Sequence, residues 1–302
     1  MTTIRVGLVG AGPWARLCHA PMLAAADELE LSAVWARRRE AADQVARDAG
    51  AAAVATFDEL LERCDAVAFA VPPDVQAALA PRAAARGRHL LLEKPAAATV
   101  AGAAAIADAA EAAGVATQLV LTYRFTEPVR AFLRSVAGTP VRHVRVAWIG
   151  GGALAGSPFA TPWRQAPGAA LLDLGPHAFD LVEAVAGPVR EVRAAESGGV
   201  VTATTHHGGG AVGHVALSVT TPGEGGFEAL AVTDDGRHTL ADPWPERPDD
   251  VWRAITGEFA RAVRGAARQP LDAAHGLHLQ RILAAGQEST RTGSPVRLPT
   301  EP

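Results

Sequence analysis

Ile4-Arg5-Val6-Gly7-Leu8-Val9-Gly10-Ala11-Gly12-Pro13-Trp14-Ala15 is the stretch on which the fold turns. Ile4–Val9 is a short apolar run with β-branched residues, the pattern of a strand buried on both faces. Two glycines follow with one residue between them, and Trp14 to Ala26 then reads as a helix. Between a strand and a helix, G-x-G-x-x-A has a physical meaning. The first glycine permits a tight turn, the second lets backbone approach a pyrophosphate, and the small third residue lets helix and strand pack closely. The helix N-terminus offers unpaired N–H groups and the positive end of its dipole to an anion. Gly10, Gly12, Pro13, Trp14 and Ala15 are therefore expected to bind a dinucleotide.

The same alternation continues outward. Leu31–Trp35 is a second strand, followed by an Ala/Arg-rich helix to Ala49. Ala66–Val71 is a fourth strand, stopping at Pro72-Pro73, and His89–Leu92 is a fifth, ending at Glu93-Lys94-Pro95. A helix over Val100–Ala113 and a sixth strand over Val115–Thr122 complete a doubly wound parallel sheet of the Rossmann type. After Thr122 the pattern changes. A helix at Glu127–Val136, a strand at Arg142–Ile149 and a Gly/Pro-rich loop from Gly150 to Gly168 come first. Residues 169–186 read as helical and stop at Gly187-Pro188. Strands at Val189–Ala195, Val200–His206, Ala211–Thr220, Phe227–Thr233 and Arg237–Leu240 recur about every ten residues, which suits an antiparallel sheet. Helices at Val251–Ala267 and Ala273–Thr292 close the chain. The expectation is two domains, a dinucleotide-binding domain over 1–122 and an α+β domain over 123–302 with a large open, mainly antiparallel sheet for substrate and oligomer contacts.

Composition excludes several classes. With 302 residues, 49% hydrophobic, 20% charged and a net charge of −4, the chain is neither disordered nor a polyanion binder. Cys18 and Cys64 give no disulfide framework, and no metal site is expected. No apolar run reaches the ~18 residues of a membrane span, and Met1 to Val9 lacks a basic-then-apolar signal layout. A cytoplasmic protein is expected. The chain has no Asn and one Tyr, and one Lys stands among 28 basic residues. That profile suits a GC-rich genome, in which Lys codons drift toward Arg. Lys94 thus marks a place where the planar, permanently charged Arg head would not serve.

The end of the second strand bears on the choice of dinucleotide. A ribose 2′-hydroxyl calls for Asp or Glu there, but the stretch is Val34-Trp35-Ala36-Arg37-Arg38-Arg39. Arginines bind a 2′-phosphate that an acid would repel, so Ala36, Arg37 and Arg38 point to NADP rather than NAD. Val71, Pro72, Glu93, Lys94 and Pro95 lie at the C-terminal strand ends, where open α/β sheets bind ligands. Downstream, Asp173, His177 and Asp180 are spaced i, i+4, i+7, which puts them within a narrow arc of one helix face, with Pro176 implying a break or a start inside the stretch. A His beside carboxylates suits proton transfer near neutrality.

Together these residues resemble the glucose–fructose oxidoreductase / inositol dehydrogenase (Gfo/Idh/MocA) family of NAD(P)-dependent oxidoreductases. The glycine turn, Glu93-Lys94-Pro95, Tyr123-Arg124-Phe125, Trp163-Arg164, Asp173-Leu174-Gly175-Pro176-His177 and Glu288–Gly293 occur in the family's order. The resemblance implies that Lys94 bonds the reacting oxygen, that His177 is the acid/base and that Asp173 orients the substrate. It implies a cis Lys94–Pro95 peptide, Trp163 and Arg164 at the cofactor or substrate mouth, and Tyr123, Arg124 and Asp180 toward the substrate. It further implies a homodimer or homotetramer through the C-terminal sheet. Two positions depart from the pattern: Pro167-Gly168-Ala169-Ala170 replaces a Gly-rich lead-in, and Gln76 stands where a His is often found. The implied activity is hydride transfer between a nicotinamide and a carbonyl or carbinol carbon of a sugar, nucleotide sugar or cyclitol, in the direction of ketone reduction. Imine or C=C reduction, redox-assisted elimination and a catalytically inactive dinucleotide sensor are the competing readings.

Overall fold

The structure, a computed structural model, describes residues 2–244, 248–267 and 269–299. Met1 lies outside the described residues. The chain forms two compact units, Met1–Thr122 with Arg247–Leu277 and Tyr123–Glu246 with His278–Pro302. The stretch 247–277, expected in the second domain, goes with the first unit.

The first unit holds strands β1 (Ile4–Val9), β2 (Leu29–Trp35), β3 (Ala52–Ala53), β4 (Ala66–Phe69), β5 (His89–Leu92) and β6 (Thr117–Leu119). They form one sheet in the order β3-β2-β1-β4-β5-β6, and every pair is parallel. The order reverses between β1 and β4, which is where such sheets bind ligands at their C-terminal ends. β1, β4 and β5 read as near-continuous apolar runs because helices cover both faces. The helices are α1 (Ala20–Ala24), α2 (Arg39–Asp48), α3 (Phe57–Glu62), α4 (Pro73–Ala85) and α5 (Val100–Ala113). Thr56 and Thr99 cap α3 and α5 by accepting from the Glu59 and Gly102 N–H groups. α1 is shorter than the expected Trp14–Ala26 helix, because Ala15–His19 winds as a π-helical turn before it.

β6 is also shorter than expected, and its free edge explains the return of the chain. The Leu119 N–H donates to the Leu271 carbonyl at 2.6 Å, and the Ala273 N–H donates to Thr117 Oγ1 at 2.8 Å. Buried Gln118 donates to the Ile255 carbonyl and accepts from Gln269. Unpaired edge groups would be costly under cover, so the returning segment is bound by backbone need rather than by local pattern.

The second unit holds α6 (Glu127–Val136), β7 (Val141–Ile149), α7 (Ala169–Asp173), α8 (Gly175–Ala186), β8 (Val189–Ser197), β9 (Val200–His207), β10 (Val212–Ser218), β11 (Gly226–Thr233), β12 (Gly236–Ala241) and β13 (Val296–Arg297). Helix α9 (Asp249–Val263) belongs to the first unit, and α10 (Ala273–Thr292) is divided between the two. The sheet order is β12-β11-β7-β10-β9-β8-β13. All pairs are antiparallel except β7 with β10. Val144 and Val146 are fully buried on the helix-covered face. The expected continuous helix over 169–186 is interrupted at Leu174, where Gly175 and Pro176 start α8 afresh. A side chain at Gly175 would place its Cβ 2.6 Å from Leu283 of α10, so glycine is what lets the two helices touch. No helix among the described residues is long and apolar enough to cross a membrane.

One histidine fastens the end of α8 to the sheet. His207, at 5% exposure, donates from Nδ1 to the Gly187 carbonyl at 2.6 Å, and its Nε2 lies 2.9 Å from Thr205 Oγ1. Burial pulls its pKa below the ordinary histidine value, more than the Gly187 bond raises it. The unfolded chain therefore takes up this proton more readily than the folded one, and stability falls as pH drops below ~6.5 toward the lower folded value. Chemical denaturation at stepped pH should show this loss, and His207→Gln should flatten it. An unchanged pH slope in the variant would contradict the assignment.

Candidate active site

The expected site residues fall into two groups, one in each unit. In the first unit, Gly10 follows β1 with φ +123°, a conformation open to glycine, and a Cβ there would lie 2.3 Å from the Ala70 carbonyl oxygen and 3.1 Å from Val71. The turn therefore presses against the C-terminal end of β4, where Val71 and Pro72 precede α4. At Gly12 the opposite holds: no atom lies within 4 Å of where a Cβ would project. Ala15 is fully buried. A tight turn backed by β4, an open approach at Gly12 and a small buried third residue fit a bound pyrophosphate.

Lys94 stands half-buried just past β5, and its peptide bond to Pro95 is cis. Two side chains fix the backbone on either side of it. Gln76 of α4, fully buried, donates to the carbonyls of Glu93 and Ala96, both at 2.8 Å, and accepts from the Glu93 N–H at 2.8 Å. The Glu93 carboxylate accepts from the Trp14 indole N–H at 2.7 Å, from His19 Nε2 at 2.8 Å and from the Lys94 N–H at 3.1 Å. Trp14 comes from the glycine turn and His19 from the π-helical turn behind it. Glu93 thus ties the phosphate turn to the lysine turn within one unit. Burial, and then the Glu93 charge, push the neighbouring Cys18 thiol up to about 12, so it stays protonated and unreactive near neutrality.

Arg37 and Arg38 are exposed between β2 and α2, with half-exposed Ala36 before them and no acid at the strand end. Arg39 is engaged by Asp43 at 2.9 Å.

In the second unit the structure brings the motif residues together in pairs. Arg164 of the turn Pro162–Gln165 reaches Asp173 with two donors, at 2.9 and 3.3 Å. Its guanidinium lies 4.4 Å from the Trp163 ring centroid. Arg124 holds both oxygens of buried Asp180, at 2.9 and 3.0 Å. His177, 6% exposed, sits in the first turn of α8 with its ring edge-on to Tyr123 at 5.4 Å. Because of the break at Leu174, Asp173 ends one helix while His177 and Asp180 belong to the next, which corrects the single helix face. Burial, and then the Asp242 charge, raise the Tyr123 phenol, so it is a lasting hydrogen-bond donor.

Sequence reasoning passed over Gln76 as a departure and did not single out His19. A polar residue at the fourth position of a helix after a Pro-Pro strand stop carried the signal for Gln76. His19 gave none, since the π-helical turn that aims it depends on an inserted hydrogen-bond step.

Comparison with known proteins places the chain. An oxidoreductase family described as having an NAD-binding Rossmann fold matches residues 4–120, and the GFO/IDH/MocA C-terminal domain matches 126–238. The chain belongs to the Gfo/Idh/MocA family. A dTDP-3,4-didehydro-2,6-dideoxy-alpha-D-glucose 3-reductase of Streptomyces violaceoruber is 33% identical over 204 residues, 64% of this chain and 57% of that protein. The match thus spans little more than half of that relative's length. Among solved structures, GenD2 from gentamicin A biosynthesis, in complex with NAD, has TM-score 0.88 at 21% identity and covers 99% of this chain and 97% of its own. The WlbA dehydrogenase from Bordetella pertussis, in complex with NADH and UDP-GlcNAcA, has TM-score 0.83 at 22% identity, covering 99% of each chain. At such identities the likeness is one of fold.

If Gln76 anchors the lysine turn, Gln76→Leu should strand two buried carbonyls and one N–H, at about 1–3 kcal/mol for each unsatisfied group. The thermal midpoint of the variant should fall by several degrees. A midpoint equal to that of the parent protein would show that the clamp contributes nothing.

Proposed function

We propose that this chain transfers a hydride between a nicotinamide dinucleotide and a carbonyl or carbinol carbon of a sugar, nucleotide sugar or cyclitol, running as an NADPH-dependent ketoreductase in the cytoplasm. The observation that carries this reading is the lone lysine, Lys94, held at the ligand edge of the sheet by Gln76 and by Glu93, which also grips the glycine turn. The 33% identical relative named as a dTDP-sugar 3-reductase supports the substrate class and the direction. The Arg37-Arg38 pair, with no acid at the end of β2, supports NADP over NAD.

Gly10 and Gly12 would hold the pyrophosphate with backbone N–H groups, Ala15 would let helix and strand pack closely beneath it, Pro13 and Trp14 would shape the turn, and Arg37 and Arg38 would take the 2′-phosphate beside Ala36. Val71, Pro72, Glu93 and Pro95 would line the nicotinamide side. When bound, the dinucleotide supplies or accepts the hydride. Lys94 hydrogen-bonds the reacting oxygen and stabilises its alkoxide character. His177 gives that oxygen its proton in reduction and takes it in oxidation. Asp173, steadied by Arg164 over Trp163, orients the substrate, with Tyr123, Arg124 and Asp180 toward it. A homodimer or homotetramer through the open sheet completes the reading.

Two kinetic tests apply. Lys94→Ala should lower kcat by at least ~100-fold while NADPH still binds, and surviving turnover would refute the mechanism. Replacing Arg37 and Arg38 with Ala should raise KM for NADPH far more than for NADH. Equal effects would remove the NADP assignment.

A further inference from the structure

Two of the chain's ten histidines meet on the sheet of the second unit. Its strands alternate. Val144 and Val146 of β7 and Val215 and Leu217 of β10 are buried under the helices. His143 and His214, each one residue before such a position, therefore stand on the opposite face. β7 and β10 run parallel, with Val212 beside His143 and His214 beside Arg145. In this register the two histidines are diagonal neighbours, and their ring centroids lie 5.1 Å apart with the planes at 54°. His177 lies near Trp148, which shares the helix-covered face with Val144 and Val146. The histidine pair is thus across the sheet from it.

The tautomer of His143 is fixed. Its Nδ1 lies 3.0 Å from the Val212 carbonyl, which can only accept, so Nδ1 carries the proton and the lone pair is on Nε2. A ring N–H given to a backbone carbonyl is the usual way in which a metal-ligating histidine is oriented. His214 is exposed. Its partial burial, and then the charges of His143 and His206, lower its pKa, so its ring is neutral near pH 7. Arg145, beside His214 in register, is balanced by Glu228 at 2.9 Å. An imidazole nitrogen binds zinc at about 2.1 Å, which puts the ion about 3.2 Å from the ring centroid. Two centroids 5.1 Å apart can then share one ion at an N–metal–N angle of about 105°, close to tetrahedral. Among the described residues no three His, Cys, Asp or Glu side chains gather for a metal ion, so the protein supplies two ligands and leaves the other positions to water.

We propose that His143 and His214 form a two-histidine site for a divalent transition metal of the zinc, nickel and copper class, on the open face of the second unit's sheet. Neutral imidazoles suit these ions, whereas magnesium and calcium call for carboxylate or carbonyl oxygens. Both ligands lie on paired strands of one unit, so the site stands apart from the hydride-transfer reading. Cysteine count and local spacing gave no sign of it, because the pair assembles only across β7 and β10.

Isothermal titration calorimetry of the full, untagged chain with Zn²⁺, Ni²⁺, Cu²⁺ and Mg²⁺ tests the site. The three transition ions should bind, Cu²⁺ most tightly, and Mg²⁺ should give no binding heat. His143→Ala and His214→Ala should each weaken Zn²⁺ binding at least ~tenfold. The double variant should be within about threefold of either single one, since one imidazole without the other is no chelate. The electron paramagnetic resonance spectrum of bound Cu²⁺ should carry hyperfine structure from two imidazole nitrogens. Thermal melting checks that the variants fold, and the exposed His214→Ala carries the test if the half-buried His143→Ala does not. Failure of Zn²⁺, Ni²⁺ and Cu²⁺ to bind, affinity unchanged in His214→Ala, Mg²⁺ binding as tight as Zn²⁺ binding, or hyperfine structure from a single nitrogen would overturn the site.

Discussion

The carboxylate of Glu93 is the constraint on which the first unit's site depends. It is buried, so it must be paired or hydrogen-bonded to remain there. Its three donors come from the glycine turn, from the π-helical turn and from the residue that follows it. A single carboxylate thus sets the position of the turn shaped for pyrophosphate and of the turn that presents Lys94. Gln76 completes the arrangement from α4 with a neutral amide that matches backbone donors and acceptors. The fold supplies an edge at the switch between β1 and β4, and these two side chains convert that edge into a defined place.

Much of this was legible in the chain itself. β1, β5, α5, α6 and α10 have the bounds that apolar period and glycine or proline stops indicate, because those signals are local. Lys94 was conspicuous because it is the single lysine of the sequence. The two-residue strand β3 and the edge strand β13 were invisible, since two residues carry no period. The return of 247–277 to the first unit was invisible for a different reason. It rests on Gln118, Thr117 and Leu119 bonding residues far along the chain, and no window of sequence contains both partners.

The site divides the same way. The glycine turn and the Asp-Leu-Gly-Pro-His stretch stand out by residue type. The break at Leu174 was announced by Pro176, though its consequence for the face shared by Asp173 and His177 needed coordinates. The rings around Tyr123 come from β7, β11 and the stretch after β12, so they assemble only once the register of the sheet is known. A cluster carried by one turn is readable in sequence, and a cluster assembled across strands is not.

The central claim is that the turn at Gly10 and the edge at Lys94 form a nicotinamide dinucleotide site. Titrating NADPH and NADH into the purified chain while following reduced-nicotinamide fluorescence tests it most directly. The account predicts saturable, enhanced emission at one dinucleotide per chain, stronger for NADPH, and its loss in a folded Gly10→Val variant. Absence of saturable binding of either dinucleotide, or binding that Gly10→Val leaves intact, would contradict it.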